Sequence, residues 1–321
     1  MKLGVLTVPL YSKPAEEAFA ILAKMGVEAL EIGTGGSPGS VHLNPAEFLG
    51  NPGRVKEYKD MVKGLGLEIS AFSCHGNAVH PNKEIAKKAH DEFVQTCQLA
   101  ELFEIGTVVT FSGCPGGTPD DKYSNWVTCT WPSEFSEILK YQWDDVLIPY
   151  WSETAKLAKT YGVERIALEM HPGFCVYNTR TLLKLRAAAG DAIGANFDPS
   201  HLLWQGIYPP DAIRALKGAI YHFHAKDTKI NQQQTRINGV LETSGYDEFL
   251  TRSWLFRTVG YGNDAGVWKD IISSLKTVGY DGIISIEHED GLMSVDEGLQ
   301  KAVDFLKGII IKENPADMWW L

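Results

Sequence analysis

Five cysteines in 321 residues are an odd count with no C-x-x-C pair and no zinc-finger spacing. That argues against a disulfide framework or a thiolate zinc site and points to reduced thiols in a cytoplasmic protein. No run approaches the roughly 18 apolar residues of a membrane-crossing helix. Positive charge is scarce: 30 Lys and Arg stand against 40 Asp and Glu, a formal net charge of −10. A dedicated nucleic-acid or anionic-membrane binder needs a basic face, so neither partner is expected. There is no G-x-S-x-G elbow and no Walker loop, and the glycines between Gly33 and Gly36 lack the rest of a dinucleotide fingerprint. Met1 to Leu10 carries one positive charge and a short apolar run with no A-x-A-like cleavage site after it. It reads as a first strand rather than a signal peptide.

What is present is a core-forming composition, 44% hydrophobic and 22% charged, arranged in alternating strand and helix patterns. Continuous apolar runs predict strands at 2–8, 28–33, 67–72, 107–111, 165–169, 193–197, 219–224 and 283–287, as for strands covered on both faces. Amphipathic patterns between them predict helices beginning at Pro14 and over 54–64, 84–104, 147–161, 179–189, 209–216, 266–277 and 294–312. A Lys, a Gly and an acid recur before four strands: Lys24-Met-Gly26-Val-Glu28, Lys63-Gly-Leu-Gly66-Leu-Glu68, Lys159-Thr-Tyr-Gly162-Val-Glu164 and Lys276-Thr-Val-Gly279-Tyr-Asp281. Each is the signature of a helix C-terminus, with Lys at the negative dipole end and Gly in the left-handed position. Eight such units in one chain predict an α/β fold, a (β/α)8 TIM barrel forming a single domain over 1–321, with an open doubly wound sheet as the competing arrangement. Two long insertions follow strands 4 and 7, at about 112–146 with Trp126, Trp131, Tyr141 and Trp143, and at about 228–262, ending in Trp254-Leu-Phe-Arg257-Thr-Val-Gly260-Tyr-Gly262. Loops of that length are lids, binding loops or subunit contacts, and their rings either stack on sugars or pack the insertions onto the barrel.

Four of the strand candidates end in a metal-binding side chain: Glu169, Asp198, His224 and Glu287, spaced 29, 26 and 63 residues apart. In a parallel barrel, strand C-termini converge on one face, so these four side chains should meet there. Three carboxylates crowded together repel unless a cation neutralises them. With one imidazole they suit Mn²⁺, Mg²⁺ or Co²⁺ better than a structural zinc.

Ala167-Leu-Glu-Met-His171, Asn196-Phe-Asp-Pro-Ser-His201, His222-Phe-His-Ala-Lys-Asp227, Ser285-Ile-Glu-His-Glu289 and the Gly260-x-Gly262…Trp268 segment resemble the sugar phosphate isomerase/epimerase superfamily of xylose-isomerase-like TIM barrels over essentially the whole chain. The resemblance implies one divalent metal ion per chain, Mn²⁺ first and Mg²⁺, Co²⁺ or Zn²⁺ as alternatives, on Glu169, Asp198, His224 and Glu287. It also implies that His201 and Arg257 contact substrate oxygens. In ketose epimerases of this group the two ligand glutamates double as acid and base, so Glu169 and Glu287 are the expected pair, working through a cis-enediolate.

Period-2 parity places His171, Lys226 and Glu289 on the same inward side as the ligands. At the end of strand 3, His75 and Asn77 occupy the corresponding position, with His80 further along the loop. A substrate rim of His75, His201, Lys226 and Arg257 is expected, with His171 a candidate general base and His222 a core histidine. The superfamily also contains lyases on 3-keto-glycosides, including C-glycoside deglycosidase subunits, in which β-elimination follows the same proton abstraction. An AP-endonuclease-like activity and a non-catalytic sugar-binding barrel are the remaining readings. The expected partner is a small-molecule sugar or keto-sugar, on a homo-oligomer, or on a hetero-oligomer if the activity is deglycosidase-like. Lys226, Lys229, Arg236, Arg252 and Arg257 are candidates for a phosphate clamp, and the apolar tail Asp317 to Leu321 for a docking segment.

Overall fold

The structure, a computed structural model, describes residues 1–314, 318 and 320. Ten strands run β1 (Lys2–Leu6), β2 (Ala29–Gly36), β3 (Glu68–His75), β4 (Thr107–Phe111), β5 (Arg165–Glu169), β6 (Ile193–Phe197), β7 (Ile220–Ala225), β8 (Asp227–Ile230), β9 (Trp254–Arg257) and β10 (Ile283–Ile286). Eight of them close a barrel in the order β1-β10-β7-β6-β5-β4-β3-β2. All eight pairings are parallel, and Lys2 against Ile283 through Val5 against Ile286 complete the ring. Most barrel-strand residues are buried because helices cover the outside while side chains fill the inside. The open doubly wound alternative is therefore excluded.

The repeated helix-to-strand punctuation has one conformational cause. Gly26, Gly66, Gly162 and Gly279 all adopt positive φ, between 75° and 86°. A Cβ is disfavoured there, so glycine reverses the chain into the next strand.

Period-2 alternation sorts the barrel interior into levels. Ala71, Val109 and Ala167 pack together with Tyr221 as a small apolar plug. Nearer the mouth the interior turns polar, with Ser73, Asn196, His222 and Ser285 all buried. The next inward positions are His75, Glu169, Asp198, His224 and Glu287, at the C-terminal mouth.

The insertions are more ordered than loops. The 112–146 segment contains a helix Glu134–Lys140 and a wide turn Tyr141–Leu147. The buried Gln142 side chain anchors it by donating to the carbonyls of Pro115, Gly116 and Asn125 at 2.6–3.2 Å. Trp143 is buried beneath Lys184, whereas Trp131 is 77% exposed. The second insertion holds an antiparallel hairpin of β8 and β9, registered Asp227 to Arg257 and Ile230 to Trp254. In the tail, Met318 and Trp320 are exposed, while residues 315–317, 319 and 321, with Asp317, Trp319 and Leu321 of the expected docking segment, lie outside the described residues.

Candidate metal centre

Glu169 is the last residue of β5, and Asp198 caps the short helix Pro199–Leu203 through a 2.8 Å bond from the Ser200 N–H. His224 is the fifth residue of β7, and Glu287 follows β10 directly. One ligand atom from each of the four lies within 4.8 Å of the others. The set is buried apart from a 15% exposed Glu287 side chain. Strand ends separated by up to 118 residues of sequence therefore form one cluster of hard oxygen and imidazole donors.

The two nitrogens of His224 have different partners. Nδ1 faces the cluster, 2.9 Å from Glu287 Oε2 and 3.4 Å from Glu169 Oε2. Nε2 turns inward and lies 2.9 and 3.0 Å from the two oxygens of Glu31 on β2. Glu31 is fully buried and also accepts from the hydroxyls of Ser73 and Ser285. Its burial alone would raise its pKa, but the His224 and His222 imidazoles draw it down to about 2. A carboxylate on the far nitrogen fixes the tautomer that leaves Nδ1 free for a metal. Glu31 is absent from the sequence-derived site because it lies inside a strand rather than at its end. The signal was available, since a lone acid in a buried apolar strand is rare without a partner.

Glu169 is gripped from several sides. His75 Nε2 and His201 Nε2 each stand 3.0 Å from its oxygens, and Asn196 Nδ2 is at 3.4 Å. Burial opposes its ionisation, but the bonds from His201, His224 and His75 hold it well below the usual carboxylate range. His201 is itself buried and held well below the usual imidazole range by that burial. His75 and His201, expected on the substrate rim, thus orient Glu169 from buried positions.

Lys226, also inward and 2% exposed, places Nζ 2.8 Å from Glu287, 3.1 Å from Asp198 and 3.2 Å from Glu289. One ammonium does not neutralise all the acids. Burial, with the Glu169 and Glu287 charges adding to it, pushes Asp198 up to about 7 despite the attraction of Lys226. Asp198 Oδ2 is buried and makes no hydrogen bond, although Lys226 Nζ and His201 Nε2 approach it at 3.1 and 3.3 Å. A buried carboxylate oxygen without a hydrogen bond, facing two further acids and the Nδ1 side of His224, is what a divalent cation fits.

His171, two residues past Glu169, packs tilted against His201 at 4.0 Å between ring centres, and its Nδ1 donates to the Pro172 carbonyl at 2.5 Å. Burial holds its pKa below the usual imidazole value. Arg257 does not face the cluster: its Nε binds both oxygens of Asp290, at 3.0 and 3.2 Å. The candidate phosphate clamp is not assembled either. Lys229 donates to the Gly262 carbonyl, Arg252 is buried against Tyr246 and Trp254, and Arg236 is exposed on its own helix. His222 is buried on the Asn196 amide oxygen at 3.1 Å, a core histidine.

The Lys-Asp…Gly-x-Gly…Trp segment has a structural role. Buried Asp227 accepts from the backbone N–H of Thr228, Gly260, Gly262 and Asn263, and from the Asn263 amide and the Trp268 indole. A Cβ on Gly262 would stand 2.5 Å from that carboxylate. The acid thereby pins the end of the second insertion beside the mouth.

A barrel with this mouth defines a class, and the comparison with protein families agrees: residues 19–309 match the xylose isomerase-like TIM barrel family, and the chain belongs to it. The uncharacterized protein YfiH of Bacillus subtilis (strain 168) is 41% identical over 312 residues, covering 97% of this chain and 99% of the relative. Among solved structures, the probable 3-DHS dehydratase AsbF of Bacillus anthracis superposes with a TM-score of 0.68 at 17% identity, over 96% of this chain and 99% of the other. The IolI protein, which binds a zinc atom, gives 0.66 at 19% identity over 98% and 100%. A D-tagatose 3-epimerase-like protein gives 0.63 at 20% identity over 96% and 98%. At these identities the superpositions establish the shared fold. Among the described residues no helix is long and apolar enough to cross a membrane.

Proposed function

We propose that this protein is a divalent-metal-dependent isomerase or epimerase of keto-sugars that works by moving a proton next to a carbonyl. The observation that carries the reading is the convergence of Glu169, Asp198, His224 and Glu287 within 4.8 Å at the barrel mouth. Three carboxylates and one imidazole favour Mn²⁺, with Mg²⁺, Co²⁺ and Zn²⁺ as alternatives. A cation held there would supply Lewis-acid polarisation of a carbonyl, acidifying the neighbouring C–H.

The chain's own residues supply the proton transfers. Glu169 and Glu287 both line a small cavity of about 90 Å³, together with Leu6, Pro38, His75 and Phe111. They enter it from strands that are not neighbours in the barrel. One carboxylate removes the proton and the other returns it on the opposite face, which inverts the carbon. His75 and His201 hold Glu169 in place, and Glu31 holds His224. The names of neighbours with the same fold, among them epimerases acting on ketoses, support this choice over an endonuclease or a non-catalytic barrel.

His171, whose Nδ1–H is bound to the Pro172 carbonyl, keeps Nε2 as a basic nitrogen beside the mouth, and this favours a second outcome. An imidazole that takes the abstracted proton as a base and then passes it to a departing group would let the same abstraction end in β-elimination, as in a lyase acting on 3-keto-glycosides. Product analysis separates the two: a stereoisomer of equal mass against an unsaturated sugar and a released substituent.

The test of the shared step is exchange of the substrate C–H with solvent deuterium, followed by NMR on D-fructose and D-tagatose with the metal-loaded enzyme. Glu287→Gln is expected to slow exchange by about 100-fold or more while keeping the fold. Wild-type exchange in that variant overturns the assignment.

A further inference from the structure

The cavity at Glu169 and Glu287, about 90 Å³, has room for only about three waters at liquid density. A sugar reacting there extends beyond it, so the surroundings of the mouth decide what the rest of the substrate is. Beside it lies a larger cavity of about 330 Å³, walled by Tyr246, Phe249, Leu255 and Phe256, with His171 and Glu289 on its rim. The two are neighbours. The His171 ring is 5.2 Å from Phe111 of the small cavity, and Phe256 lies over the Lys226 ammonium and 5.3 Å from the His201 ring.

The chemistry of the larger cavity is one-sided. Its walls are aromatic and aliphatic, and Tyr246 remains 59% exposed although it stacks on Phe256. Among the described residues the only acid on its rim is Glu289, and each cation near it is already engaged. Lys226 is shared among Asp198, Glu287 and Glu289, Arg257 is held by Asp290, and Arg252 lies beneath Tyr246. A phosphate or carboxylate placed there would face Glu289 with no uncommitted cation to pair with, at a desolvation cost. An apolar cavity of about 150 Å³ holds one benzene ring, so this one accommodates a group of up to two rings.

Building on the proposed keto-sugar chemistry, we propose that the natural substrate is an uncharged keto-sugar bearing an apolar, preferably aromatic, substituent that sits against Tyr246, Phe249, Leu255 and Phe256. The substrate is therefore a glycoside or similar conjugate rather than a sugar phosphate. The β8–β9 hairpin and its connection, which supply all four wall residues, act as the specificity element.

Calorimetric titration of the metal-loaded full chain with phenyl β-D-glucopyranoside, methyl β-D-glucopyranoside and D-glucose 6-phosphate tests this without turnover. The phenyl glycoside is expected to bind at least about tenfold tighter than the methyl glycoside, about 1.4 kcal/mol, with the phosphate weakest. In Phe249→Ala the phenyl preference should fall to within about threefold, about 0.65 kcal/mol. Equal binding of the two glycosides, tighter binding of the phosphate, or no binding of either glycoside overturns the inference. The wild-type comparison stands even if the variant folds poorly. Deuterium exchange into D-fructose, run in parallel, separates the two levels. Exchange without a phenyl preference removes only the substituent site, whereas absence of exchange removes the proposed reaction.

Discussion

Replacing Glu31 by Gln should weaken metal binding although Glu31 is not one of the four ligands. Both of its oxygens stand within 3.0 Å of His224 Nε2, in a fully buried setting where no water substitutes for them. Glutamine keeps the size and one acceptor but removes the charge that makes Nδ1 more basic and fixes the ring. Loss of such a partner lowers metal affinity by about 10- to 100-fold, or about 1.4 to 2.7 kcal/mol. The assay is a competition titration of Mn²⁺ and of Zn²⁺ against a chromogenic chelator, for wild type and Glu31→Gln at one pH. The melting temperature of each metal-free protein controls for the fold. A folded variant whose affinity stays within about twofold of wild type would refute the claim that Glu31 acts through His224.

Two further predictions concern the scaffold. Asp227→Ala strands several buried donors, each worth about 1–3 kcal/mol when left unmade. Allowing for rearrangement and water entry, urea unfolding should show a loss of about 3–5 kcal/mol, and a loss below about 1 kcal/mol would show that the carboxylate is not the pin of the second insertion. Asp281 accepts from the N-terminal ammonium and from Lys276, which lower its pKa from 3.8 to about 2. A depressed folded-state value means that its stabilisation is complete above the unfolded value and disappears as pH falls from 3.8 toward 2. Thermal melts of Asp281→Asn should therefore lie below wild type at pH 6 and converge with it near pH 2; a constant gap across that range contradicts the linkage.

The barrel was legible because the strands are mostly continuous apolar runs and four helices end on the same Lys and Gly punctuation. Four glycines at positive φ show that punctuation to be conformational rather than compositional. The quartet was legible for a related reason: in a parallel barrel, a strand end in the sequence is a position at the mouth in space. Parity likewise gathered Lys226 and Glu289, which stand 3.2 Å apart. What the sequence hid depends on distant contacts. Glu31 acquires its role only when β2 faces β7 across the barrel, 193 residues away. The hairpin of β8 and β9 joins two four-residue segments across a connection of 23 residues, with no tight turn to announce it. Arg257 was placed on the substrate by the family resemblance alone. Its actual partner, Asp290, comes from the far side of the next β/α unit, which no local pattern encodes.

The most direct measurement is the metal content of the purified protein by elemental mass spectrometry, before and after reconstitution, beside an Asp198→Asn variant. The quartet predicts about one divalent ion per chain in the wild type, lost from the variant while the metal-free proteins melt alike. No bound ion after reconstitution, or equal content in the variant, would contradict the reading of these four residues as a metal centre.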